Sequence, residues 1–154
     1  MMFEYRLEHV FSYVVTLKDP PEVIGPVPGG IRVNFYVVDG EISGPRLRGR
    51  VRPVGGDWFT VRTDGVGILD VRATFESHDG ALIEITFTGV GDLGQDGYQG
   101  FLRQELPPSL QLRVAARFRT AHPDYEWLNR VQCIGVGEIN MAPLKVSFDI
   151  YAMR

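Results

Sequence analysis

The chain has 154 residues, with 16 basic and 19 acidic side chains and a net charge of −3. This charge gives no general attraction to nucleic acid or to an anionic membrane, so neither is expected as a partner. No apolar run approaches the roughly 20 residues of a membrane-spanning helix. With 44% hydrophobic residues, residues 1–154 are predicted to form a single domain with a substantial core.

The only cysteine and the polar N-terminus bear on the cellular compartment. Cys133 has no partner for an internal disulfide, and its small, apolar neighbours predict a buried, unreactive thiol. Glu4, Arg6 and Glu8 leave no room for the apolar region of a signal peptide. The expected compartment is the cytoplasm, although a secreted protein without disulfides would have the same features.

The first third of the chain alternates apolar and polar residues. Residues 4–17 and 31–38 predict two strands. Lys18-Asp19-Pro20-Pro21 is expected to end the first strand, and Asp39-Gly40 to close the second. Pro26 to Gly30 and Gly55-Gly56 are predicted loops.

Three alternating runs between Asp57 and Phe87 form the most regular part of the sequence. Asp64-Gly65 and Asp79-Gly80 separate them, which predicts an antiparallel meander. Three-residue loops, 64–66 and 78–80, would bring the odd-numbered apolar residues to one face. That face then holds Phe59, Val61, Leu69, Val71, Phe75, Ile83, Ile85 and Phe87.

The opposite face of the meander is the leading candidate for a functional site. Trp58 is expected directly across from Arg72, close enough for a cation–π contact. Carboxylates beside an arginine and an indole could act as general acids or bases, although a solvated sheet exterior would have the same composition. The face holds Trp58, Thr60, Arg62, Asp70, Arg72, Thr74, Glu76, Glu84 and Thr86.

Residues 89–110 are the longest irregular stretch, and they are either a functional loop or a surface insertion. Gly89, Gly91 and Gly94 have the spacing of a dinucleotide-binding loop. That mechanism requires a helix immediately afterwards, and turn residues follow instead. No cofactor is expected.

The C-terminal third returns to alternation. Residues 111–120, 131–137 and 145–153 predict three strands, and 122–129 predicts one or two helical turns. Tyr125 and Trp127 in these turns either pack one end of a barrel or contact a ligand at its mouth. The chain is therefore predicted to be all-β, with a single antiparallel, mostly up-and-down barrel of eight to ten strands and one short helix.

Four arginines at positions 46, 48, 50 and 52 alternate with smaller residues, which aligns their guanidinium groups on one face. Such a stripe could bind a carboxylate or phosphate, or it could pair with acids on a solvated face.

The histidines predict no metal site. His9, His78 and His122 lie far apart, with none of the spacings typical of metal ligation. There is also no G-x-S-x-G motif of a serine hydrolase.

An ordered series of short motifs resembles the bacterial and fungal family known as domain of unknown function 3237. The resemblance covers nearly the whole chain from about Leu7. It implies a compact, calycin-like β-barrel that often self-associates and has no established general activity. The motifs are Asp39-Gly40, Gly44-Pro45-Arg46-Leu47-Arg48-Gly49, Gly55-Gly56-Asp57-Trp58, Arg62-x-Asp64-Gly65, Leu69-Asp70-Val71-Arg72, Asp79-Gly80-Ala81-x-Ile83, Tyr125-x-Trp127-Leu128-Asn129 and the Tyr151 strand.

The leading functional hypothesis is a barrel that binds a small hydrophobic or aromatic carboxylate. In the enzymatic version of this hypothesis, it is an isomerase, cyclase or lyase that uses acid–base groups without a cofactor. Glu76 or Asp70 would be the base. Arg62 or Arg72 would hold the anionic end, and the aromatic walls would be Trp58, Tyr125 and Trp127. The alternative is a non-catalytic protein whose charged face forms a homodimer or a larger homo-oligomer.

Overall fold

The computed structural model describes residues 1–154 and contains nine strands and two short helices. Neither helix has the length and hydropathy needed to cross a membrane. The strands are β1 (Leu7–Leu17), β2 (Glu22–Val27), β3 (Gly30–Ser43), β4 (Gly49–Val61), β5 (Val66–Ser77), β6 (Leu82–Asp92), β7 (Ser109–Arg119), β8 (Gln132–Met141) and β9 (Leu144–Met153). The helices are α1 (Gly97–Leu102) and a 3-10 helix (Pro123–Arg130).

Eight of the strands close into an antiparallel barrel, as predicted. Consecutive strands pair from β3 to β9, and β1 pairs with β9 on one side and with the second half of β3 on the other. Side chains alternate along each strand, so half of them point into the barrel. The interior therefore forms a single cluster of 33 buried hydrophobic residues.

The ninth strand, β2, was not predicted, and its last two residues fall in the loop predicted at 26–30. It pairs only with the first half of β3, so one of its edges has no partner strand. Pro26 lies within it, and the predicted loop rested on the rule that proline interrupts strands. An edge strand tolerates proline because its outward N–H groups need no partner in the sheet.

Two glycine pairs predicted to interrupt the chain lie inside strands instead. Asp39-Gly40 is part of β3, and Gly40 pairs with both Val15 and Val51. Gly55-Gly56 is part of β4, at the end of a bulge that begins after Val51. A bulge bends its strand, and such bends help a sheet to close into a barrel.

The meander has the predicted faces, but the pairing register of its first two strands, β4 and β5, differs from the predicted one. Arg62 and Val66 close a three-residue loop at positions 63–65, one residue earlier than expected. Arg72 consequently pairs with Gly56, so the prediction that it lies across from Trp58 was wrong. The second loop is 78–80 as predicted, and the eight odd-numbered apolar residues share the inner face because both loops have three residues.

The two ends of the barrel are built differently. The 3-10 helix occupies the predicted helical stretch and places Tyr125 and Leu128 in the core at one end, which we call the closed end. At the other end, the mouth, the segment 93–108 crosses the barrel. Six of its residues form α1, in a stretch that was predicted to be irregular.

The Asp-Gly turns offer a matched pair of glycines for a stability experiment. Gly65 and Gly80 have φ angles of 89° and 88°, which L-residues rarely adopt. A Cβ on Gly80 would meet nothing within 4 Å, but one on Gly65 would lie 1.7 Å from the carbonyl oxygen of Gly94. We expect Gly80→Ala to cost about 1 kcal/mol of unfolding free energy, and Gly65→Ala at least about 3 kcal/mol.

Urea unfolding of both variants measures the difference. The larger loss at Gly65 is expected because that turn packs against the segment at the mouth, where the Leu93 N–H donates to the Gly65 carbonyl at 3.0 Å. Equal losses would show that backbone strain alone accounts for the loss of unfolding free energy in both variants. They would also show that the mouth segment moves away from the added Cβ without a loss of stability.

Candidate functional site

A largely apolar cavity of about 280 Å³ occupies the barrel between its middle and its mouth. Protein interiors are otherwise packed with few voids larger than a water molecule, so a cavity of this size inside the barrel requires an explanation. The side chains that line it from the barrel wall include Tyr13, Val15, Leu17, Phe35, Val37, Phe59, Leu69, Val71, Ala73, Phe75, Phe87, Leu112, Val146 and Phe148.

Asp57 is the carboxyl group that the barrel wall itself contributes to this cavity. It lies on β4 between Phe35 of β3 and Val71 of β5, both of which also line the cavity. Its Oδ1 accepts a hydrogen bond of 2.8 Å from the backbone N–H of Asp70. This one bond orients the carboxyl group and leaves the second oxygen without a protein donor.

The surroundings of Asp57 favour its neutral form. Burial raises the pKa of the Asp57 carboxyl from its ordinary 3.8 to about 7. The hydrogen bond from the Asp70 N–H and the positive charge of Arg32 act in the opposite direction, and the Asp70 charge adds to the rise. Near neutral pH this carboxyl group therefore exists in both protonation states, as a group that both takes and returns a proton must.

Tyr13 is a second polar group in the cavity wall. It lies on β1, 4% exposed, with its ring against Phe75 and Phe148 at centroid distances of 5.1 and 5.6 Å. Burial and then the charge of Asp57 raise the pKa of its phenol, so the hydroxyl stays protonated and can donate a hydrogen bond.

The mouth segment supplies the outer wall of the cavity. Leu93, Phe101 and Leu106 line it, together with Asp19 and Pro21 from the connection after β1. The irregular stretch predicted at 89–110 thus contains residues of the cavity. Gly89 and Gly91 belong to β6, and no long helix follows Gly94, so this loop lacks the helix that dinucleotide binding requires.

The predicted catalytic acids lie outside the barrel. The Glu76 carboxylate forms ion pairs with Arg50 at 2.8 Å and with Arg52 at 3.4 Å. Two of the four arginines in the stripe therefore pair with an acid. The side chain of Asp70 is exposed. Its backbone N–H donates a hydrogen bond to Asp57, which lines the cavity.

The predicted binding residues of the meander share this outer surface. Arg62 pairs with Asp64 at 2.8 Å within its own turn, and Trp58 is half-buried. Arg72 belongs to none of the ion pairs and lies beside Thr86, whose other neighbour is Arg117. A role for this face in binding an anion or a second subunit stays a prediction.

The aromatic residues of the 3-10 helix belong to the closed end and do not line the cavity. The Tyr125 hydroxyl donates to Asp79 at 2.9 Å, which links the helix to the second turn. The guanidinium of Arg46 lies 4.1 Å from the centre of the Trp127 ring, so the cation–π contact of this protein involves a different tryptophan and a different arginine from those predicted.

Two further features, a cluster of possible metal ligands and the single cysteine, have structural roles in the fold. Ligand atoms of Asp79, His122 and Asp124 lie within 4.8 Å of one another, but Asp79 already accepts from the hydroxyls of Ser77 and Tyr125. His122 Nδ1 accepts the Asp124 N–H at the start of the 3-10 helix. Cys133 is fully buried, as predicted, and burial raises the pKa of its thiol to about 11.

The cavity residues were missed although the signal for one of them was present. Asp57 is odd-numbered and belongs to the same strand as Phe59 and Val61, so the alternation that placed those two inside also places Asp57 inside. The prediction assigned Asp57 to neither face of the meander. Tyr13 continues the alternation of the first strand, and nothing in that strand reveals that it shares a cavity with residues of β4.

The geometry defines a class of protein: a closed antiparallel β-barrel with an apolar cavity, one carboxyl group in the barrel wall and a mouth crossed by a loop. Residues 5–153 match the family model described as "Protein of unknown function (DUF3237)". The chain belongs to this family, which confirms the resemblance seen in the sequence.

Known proteins of similar sequence and structure agree with this assignment. A UPF0311 protein of Rhodopseudomonas palustris is 27% identical over 146 residues, which cover 94% of each chain. A protein of unknown function from Clostridium acetobutylicum has a solved structure that matches with a TM-score of 0.87 at 27% identity, over 98% of this chain and all of the other. A structure described as an enzyme from Penicillium herquei matches with a TM-score of 0.72 over 100% and 98% of the two chains, and at 22% identity it shows the fold alone.

Proposed function

We propose that the barrel binds a small hydrophobic molecule in its cavity, between the aromatic wall and the mouth segment. The observation that carries the proposal is the apolar cavity of about 280 Å³ with a carboxyl group in its wall. Small-molecule sites are typically concave and apolar, with a few polar groups that orient the ligand. Apolar cavities in proteins bind ring-sized molecules because these replace missing packing contacts.

The charge of the cavity favours a neutral ligand over the carboxylate expected from the sequence. Asp57 would repel an anion whenever it is ionised, and the predicted arginine partners Arg62 and Arg72 lie on the outer face. A hydroxyl or carbonyl group would pair with Asp57 and Tyr13 without bringing a second negative charge into an apolar space. The proposed ligand is therefore an aromatic or alicyclic molecule with such a neutral polar group.

Catalysis on this ligand is the second part of the proposal. The structural neighbour from Penicillium herquei is described as an enzyme, so this fold is compatible with chemistry. A carboxyl group that titrates near neutral pH supports an isomerase, cyclase or lyase that uses acid–base groups and no cofactor.

Fluorescence titration with naphthalene, naphthol and naphthoate tests the binding site. We expect naphthol to bind most tightly and naphthoate least at about pH 8, where Asp57 is ionised. Ala73→Phe should weaken naphthol binding at least tenfold, because Ala73 lines the cavity and the added ring fills it.

Ala115→Phe is the matched control, since Ala115 is exposed on the outer face of β7. It should leave naphthol affinity unchanged, and thermal melts should show that both variants fold. Equal affinity in the two variants would locate the probe outside the cavity. Tight naphthoate binding would favour the outer face with Arg62 and Arg72 as the ligand site.

Self-association is a second candidate function, and the free edge of β2 supports it. Val23, Ile24 and Val27 are exposed there, and an unpaired strand edge can add a strand from another chain. In light scattering, we expect Ile24→Glu to lower the mass of any oligomer, whereas Arg72→Glu on the meander should not. The reverse result would assign the contact to the Arg72 face.

A further inference from the structure

We propose that Asp57 and Tyr13 form a proton-transfer site that acts on a ketone bound in the cavity. The inference rests on the proposed function, because it requires a ligand in the cavity. It adds a reaction, a substrate class and the role of each residue.

The position of Asp57 suits a base that acts at carbon. Its neighbours across the sheet, Phe35 and Val71, are apolar and line the same cavity. The Asp70 N–H holds one carboxyl oxygen at 2.8 Å, and the other has no protein donor. A carboxylate in such surroundings is poorly solvated, and a bound ketone would exclude the water that otherwise competes for it.

Tyr13 supplies the complementary group. A carbon next to a carbonyl becomes acidic only if the negative charge that forms on the carbonyl oxygen is stabilised. Tyr13 lines the same cavity, and the negative charge of Asp57 acts on its phenol. It can therefore donate a hydrogen bond to that oxygen without losing its own proton.

The reaction balances without a co-reactant. The Asp57 carboxylate removes a proton from the carbon next to the carbonyl. The electron pair of the broken C–H bond forms a carbon–carbon double bond, and the carbonyl π pair moves onto the oxygen. The protonated Asp57 exchanges its proton with solvent. A solvent-derived proton returned to the same carbon gives isotope exchange, and a proton delivered to the carbon at the far end of a conjugated system gives an isomer. A carboxyl base paired with a neutral hydrogen-bond donor is a known solution for this chemistry.

Hydrogen–deuterium exchange of tetralone, a bicyclic aromatic ketone, tests the site in deuterium oxide. NMR reports exchange next to the carbonyl, and saturation-transfer NMR reports binding of the same molecule independently. We expect Asp57→Asn to lower the exchange rate at least about 100-fold and Tyr13→Phe about 10- to 100-fold, with binding retained in both. Glu138→Gln, an exposed change on β8, is the control and should change neither reading.

The pH profile of the unaltered protein provides a readout that needs no variant. Exchange should rise with pH and level off above an inflection near 7, the pKa of Asp57 in the fold. The charged or titratable groups that act on this carboxyl are Arg32 of β3, Asp70 of β5 and Tyr13 of β1, with Asp19 at the mouth of the same cavity.

The outcomes separate the two proposals. Binding without exchange above the buffer rate, or exchange that survives Asp57→Asn, would overturn the proton-transfer site and leave the binding function standing. A tetralone that does not bind, together with naphthol that does not bind, would overturn both.

Discussion

Asp57→Asn should make the protein more stable above about pH 7 by about 4 kcal/mol, and the gain should vanish below about pH 4. The pKa of Asp57 rises from 3.8 to about 7 on folding, because burial disfavours its charged form. The folded state therefore binds more protons than the unfolded state between these two values, and stability falls as the pH rises through this window. An amide keeps an oxygen that accepts the Asp70 N–H and carries no charge to bury.

Urea unfolding at a series of pH values measures this gain directly. Asp64→Asn provides a control of opposite sign, because the hydrogen bond from Arg62 holds the pKa of Asp64 below its ordinary value. That variant should lose stability at neutral pH and match the unaltered protein only in acid. A stability gain for Asp57→Asn that is constant across the pH range would show that the Asp57 carboxyl is not poorly solvated in the fold.

The large effect expected at Asp57 has a functional meaning. A protein that needed this position only for its fold would be more stable with a neutral side chain there. Destabilising groups commonly persist where activity requires them, because a strained or poorly solvated site is the cost of its chemistry. The stability experiment thus supports the exchange experiment from independent data.

Most of the fold follows from local patterns. Alternation placed the inner residues of β4, β5 and β6 correctly, since the period of a strand does not depend on its partners. The exact pairing register was harder to predict from the sequence, because a one-residue change in the loop after Arg62 moves every partner on β5 by two positions. The strand β2 and the bulge before Gly55 were missed because proline and glycine pairs have the same local signature in loops, edges and bulges.

The site was less predictable than the fold for a physical reason. The predicted acids, Glu76 and Asp70, stood out because they alternate with the core residues, and this same alternation directs them outside. Whether an inward residue meets packed side chains or a cavity depends on closure of the barrel between β1 and β3, which no single segment encodes. Tyr13 and Asp57 meet the same space only through that closure.

Phe75→Ala should cost about 4 kcal/mol of unfolding free energy, which is a large part of the 5–15 kcal/mol typical of single domains. Phe75 is 1% exposed and separates the cavity from the closed end. Its ring packs edge-on against Phe11 at 6.0 Å and Tyr13 at 5.1 Å, and such pairs add to the free energy of burial. Urea unfolding measures the loss.

Phe3→Ala is the matched control, because the same side chain is 87% exposed there and should contribute less than about 0.5 kcal/mol. Phe75→Ala would leave a void continuous with the barrel cavity and would remove the ring that supports Tyr13. The variant should therefore also lose most of the tetralone exchange that depends on Tyr13, while an apolar probe such as naphthalene binds more tightly in the enlarged cavity. A loss below about 1 kcal/mol would mean that the closed end collapses onto the void, and naphthalene affinity should then fall rather than rise.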